Sequence, residues 1–78
     1  MTTAQFPLSR VQLLQQAHPW MTTTQAHALL AFTYSKFLEN YKGTDTNQLM
    51  DNWLAINTRA PEELVRNQLA VAAEWAVF

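Results

Sequence analysis

The sequence predicts an all-α fold, a small bundle of about four helices forming a single domain over residues 1–78, and three observations carry that prediction. Apolar residues recur at three- and four-residue spacing through most of the chain. No stretch shows the period-two alternation of a half-buried strand, and no hairpin turn is available to pair one. The single glycine and the three prolines fall where helices stop or start.

Residues 1–5 are expected to be flexible. The first helix is placed near 9–17, where Leu8, Val11 and Leu14 share a face, Ser9 is positioned to cap, and His18-Pro19-Trp20 ends the segment. The second is placed near 24–41. A threonine cap opens it, and Ala26, Leu30, Tyr34, Phe37 and Tyr41 form a stripe reinforced by Leu29, Thr33 and Leu38, with Gly43 as the stop. Its length of about 27 Å, at 1.5 Å per residue, makes it the expected backbone of the fold.

The third helix is placed near 46–56, with Asp45 or Thr46 as cap, Leu49, Met50, Trp53 and Ile56 at helical spacing, and a break over 57–60. The fourth is placed near 61–77. Pro61 is expected in its first turn, and Glu62 and Glu63 sit at the positive end of the helix dipole. Leu64, Val65, Leu69, Ala72 and Ala76 form one apolar line, widened by Val71, Trp75 and Phe78. The run Leu69 to Phe78 contains strand-favouring Val, Trp and Phe, but Ala70, Ala72, Ala73 and Ala76 favour helix. A helix apolar around most of its circumference is either central to a bundle or shared with another chain. The expected division is that its first half packs inside while its end meets a partner. Leu30, Phe37, Trp53 and Leu69 are the predicted core.

Composition narrows the function classes. A chain of 78 residues buries about 60–65% of its unfolded surface, enough for one core with little to spare. It contains no cysteine, which excludes disulfides and thiolate metal sites. Five basic and six acidic residues give a net charge of −1, and charged residues make up 14% of the chain, against about 25% in an average protein. Neither the basic excess of a strong nucleic-acid binder nor the acidic excess of a polyanion mimic is present. Apolar runs fall short of the ~18 residues of a membrane span, and the opening MTTAQFPLSR lacks a charged segment followed by an apolar one. A soluble, cytoplasmic protein without membrane contact is expected.

No constellation assigns a reaction. His18 and His27 stand on either side of a proline, with no third ligand at helical spacing, and a metal site needs three or four. Ser9 and Ser35 lack a glycine elbow or an oxyanion loop. Glu62 and Glu63 are explained by the helix dipole, and one glycine cannot form a phosphate loop. The expectation is a protein that is not an enzyme, with no catalytic, metal or cofactor residues.

Two binding classes remain. The stretch LMDNWLAINTRAPEELVRNQL (residues 49–69) resembles in outline a helix-turn-helix, in which Arg59, Arg66, Asn67 and Gln68 would read base edges. Against it, the turn lacks the usual small residue and glycine, two glutamates occupy the start of the reading helix, and basic residues are sparse. The preferred reading is a non-catalytic protein-binding module. Three tryptophans, two tyrosines and four phenylalanines are generous for this length. Trp and Tyr often carry interface energy, although a small core also consumes large rings. Trp20, Trp75, Val77 and Phe78, near the ends of elements, are the expected contact residues, facing either a second copy or another protein. By general association, small helical proteins of this kind are often encoded by phages or other mobile elements as inhibitors or adaptors.

Overall fold

Four helices make up the described chain: α1 (Leu8–Ala17), α2 (Thr23–Asn40), α3 (Thr46–Asn57) and α4 (Glu62–Val77). The structure is a computed structural model that describes residues 8–77, with side chains from 10 to 75, and no strand occurs among them. The flexible segment expected at residues 1–5 lies outside the described residues. Helix boundaries follow those read from the sequence to within one residue, and the local chemistry explains each.

Thr22 caps α2 in extended conformation (φ −80°, ψ 163°). Its hydroxyl accepts the Gln25 backbone N–H at 3.1 Å, while the Gln25 side-chain oxygen accepts the Thr22 N–H at 2.9 Å. This reciprocal box satisfies two N–H groups at the helix start. Asp45, rather than Thr46, caps α3 by accepting the Asn47 N–H at 3.0 Å. Pro61 precedes α4 instead of occupying its first turn, and its carbonyl accepts from Leu64 and Val65. Ser9 falls inside α1 rather than capping it. Gly43 has φ +89° in the turn after α2, a region that L side chains rarely enter.

The central element is α2. Helices α1 and α3 pack on it and on each other, whereas α4 packs chiefly on α2. Paired contacts give the directions. Arg10 lies beside Asn47 and Asp51, and His18 beside Asn57, so α1 and α3 run in the same sense. Trp20, just before α2, lies against Arg66, and Phe32 against Trp75, so α2 and α4 also run together. The Cα radius of gyration is 12.1 Å, close to the roughly 11–12 Å of a compact chain this long.

The core consists of Val11, Leu14, Met21, Ala26, Leu29, Leu30, Met50, Leu54, Val65 and Ala72. Leu30 is fully buried, as expected. Phe37, Trp53 and Leu69 are only half-buried and pack around the core from outside. Of the line expected on α3, Met50 is buried but Ile56 is 69% exposed, and the inward line runs through Met50, Leu54 and Asn57. The C-terminal part of α2 emerges from the core, leaving Leu38 and Tyr41 exposed. Leu64, expected inside, points outward.

Buried polar groups tie the corners together. The Asn57 backbone carbonyl accepts from His18 Nε2 at 2.8 Å. The Asn57 amide donates to the Trp53 carbonyl at 2.9 Å and accepts from Gln68 Nε2 at 2.7 Å. One residue therefore joins the end of α1, the end of α3 and the first half of α4.

Candidate functional site

Two apolar lines run along α4. Val65, Leu69 and Ala72 recur at intervals of four and three, and this line faces α2. Leu64, Val71 and Trp75, spaced seven and four apart with Gln68 between, form a second line about 100° around the helix from the first. Because α4 packs chiefly on one neighbour, only the first line is covered. Leu64, Val71 and Trp75 are 53%, 49% and 39% exposed.

The outer line continues onto α2. The Trp75 and Phe32 rings meet edge to face, with centroids 5.7 Å apart and planes at 69°. This contact fixes the indole while leaving much of it in solvent. Lys36 Nζ stands 5.7 Å from the Phe32 centroid and pairs with Glu39 at 3.7 Å. On the other flank of the line stand Glu63, Asn67, Ala70 and Glu74, all exposed.

The expected contact residues separate. Trp75 belongs to the outer face, whereas Trp20 is half-buried at the opposite end of α4 and already engaged within the chain. The Arg66 guanidinium lies 4.1 Å from the Trp20 ring centroid, and His18 lies 5.8 Å from it on a tilted plane. The Val77 side chain and Phe78 lie outside the described residues. Leu64 and Val71 join the exposed face although neither was expected to contact a partner. Their signal in the sequence was the second apolar line, which periodicity alone reads as a broader buried face.

The four residues of the DNA-reading alternative are divided as well. Arg59 and Asn67 are exposed. Arg66 is held by Glu62 at 2.6 Å and by Trp20, and Gln68 is spent on Asn57. Although residues 58–61 join α3 to α4 in a short turn, α4 lies on α2.

A shallow apolar depression of about 290 Å³ opens between α1 and α3, lined by Leu13, Leu54, Ala55 and Thr58 with Asp51 beside them. Among the described residues, no group of three His, Cys, Asp or Glu side chains is arranged to hold a metal ion. His18 is buried and bonded to Asn57, and His27 is exposed on α2. No helix among the described residues is long and apolar enough to cross a membrane. Comparisons with protein-family models, with curated proteins and with solved structures give no match.

Proposed function

We propose that the chain is a non-catalytic protein-binding module, an inhibitor or adaptor, whose contact surface is the outer face of α4 formed by Leu64, Val71 and Trp75 with Phe32 of α2 alongside. One observation carries the reading: an exposed apolar line along a helix, about 100° around from the line that is held by the core. Large exposed apolar side chains aligned along one helix face are a common mark of an interaction site. A rigid aromatic beside aliphatic neighbours is also the usual composition of an interface centre. The DNA-reading alternative gains no support, because two of its four side chains are occupied within the chain.

The test is Val71→Asp, which places a charge at the middle of the outer line without touching the buried one. Circular dichroism and thermal melting should match those of the parent. Sedimentation velocity and affinity capture from a host extract should show loss of whatever self-association or partner retention the parent has. A variant that keeps the parent's association unchanged overturns this surface.

A further inference from the structure

The charge pattern around the outer face allows the partner's chemistry to be named, an inference that rests on the docking reading above. We propose that this face receives an amphipathic helix of a different protein, whose apolar stripe is flanked on one side by lysines or arginines. Glu63 and Glu74 stand on the flank of the Leu64–Val71–Trp75 line that points away from α2. They are eleven residues apart, about 16 Å or three turns. Asn67 and Ala70 lie between them, and that flank carries no cation. Arg66 is the one basic residue of α4, and its guanidinium is held by Glu62 and the Trp20 ring. On the α2 side, Lys36 is paired with Glu39.

A helix laid along the line therefore presents its own flank to two carboxylates that form no ion pair among the described residues. A basic flank gains there and an acidic one is repelled. The same pattern disfavours a second copy. An antiparallel two-fold pairing sets Leu64 over Trp75 of the copy and brings Glu63 against Glu74 at both ends, placing like charges opposite each other. A parallel two-fold pairing sets the outer flank of one helix against the α2 side of the other. That side is filled by α2, which Trp75 already touches through Phe32. A single foreign helix, anchored at three- and four-residue spacing, suits an exposed strip one helix wide.

The experiment uses two synthetic helical peptides with the same leucine and phenylalanine stripe, one with lysines and the other with glutamates along one flank. Binding to the full chain is read by fluorescence anisotropy of the labelled peptides. The lysine peptide should bind about tenfold or more tightly than the glutamate peptide, with a preference that shrinks as salt is raised. A chain carrying Glu63→Lys and Glu74→Lys should reverse the order. Both positions are exposed, so folding of this variant is checked simply by its helical spectrum. Equal binding of the two peptides, abolished by Val71→Asp, overturns the basic-partner inference while leaving the docking face in place. Failure of both peptides to bind, with a dimer that Val71→Asp dissociates, overturns it in favour of a second copy. Failure of both with a monomeric chain overturns this inference and the docking reading together.

Discussion

Asn57 ends α3 in a position that sequence reasoning assigns to a break, yet its side chain is buried and makes two hydrogen bonds. Asn57→Ala leaves the Gln68 amide without its partner at a part-buried corner and removes the side-chain donor from the Trp53 carbonyl, whereas the bond from His18 goes to the backbone and survives. We expect a loss of about 1–3 kcal/mol in urea unfolding, and a parent-like midpoint would show that the corner is held by packing alone. Arg10 makes an opposite case. Its side chain is 8% exposed, its Nη1 is buried with no partner among the described residues, and its Nη2 reaches Asp51 at 3.2 Å and Asn47 at 3.4 Å. Asp51 is largely solvated, so removing the cation frees a carboxylate that water can take up. Removing the carboxylate strands a buried cation on two long bonds. Arg10→Met should therefore cost less than about 1 kcal/mol, and Asp51→Ala about 1–3 kcal/mol. The reverse order of melting temperatures would show that the pair is a net stabiliser.

At the scale of elements, helix existence was legible and facing was not. Three consecutive threonines, Thr22 to Thr24, announced a cap, and the partner three residues on selects which one: Gln25 completes the box with Thr22. Thr22→Ala should cost about 1 kcal/mol, within a range of about 0.5–2, read as a shift in the thermal midpoint. Thr24→Ala, beyond the cap, should leave the midpoint within roughly 0.5 kcal/mol of the parent. Equal effects would move the cap away from Thr22. On α3, two lines fit a 3.6-residue period and share Met50, one through Leu49, Met50, Trp53 and Ile56 and the other through Met50, Leu54 and Asn57. Periodicity ranks them by apolar content and favours the first. The choice is made instead by where α2 and α1 lie, and the inward line ends on a polar residue because Asn57 has partners there. The same limit governed α4, where two apolar lines read as one broad stripe until the number of neighbouring helices was known. It also governed Phe37 and Trp53, large rings on plausible lines that are only half-buried against the core.

For the whole molecule, the uneven distribution of contacts links fold to proposed function. Helix α2 contributes Ala26, Leu29 and Leu30 to the core, with Thr33 buried beside them, while α4 contributes Val65 and Ala72. In its first half, α4 is also pinned by Arg66 on Trp20 and by Gln68 on Asn57. Beyond Ala72, the described anchor is the Trp75 edge against Phe32. Opening of this last part exposes little buried surface, so it should cost less than unfolding of the whole chain. Native-state hydrogen exchange, followed amide by amide, should find residues 27–34 of α2 exchanging only through global unfolding. Residues 72–77 should exchange through an opening at least about 1–2 kcal/mol easier. Adding a helix that docks on Leu64, Val71 and Trp75 should slow exchange in 72–77 by roughly the factor 1 + [L]/Kd and leave α3 unchanged up to the global limit. If 72–77 were as protected as α2 in the free chain, α4 would belong to one cooperative unit with the core. Slowed exchange confined to α1 and α3 would instead move the docking site to the depression beside Leu13.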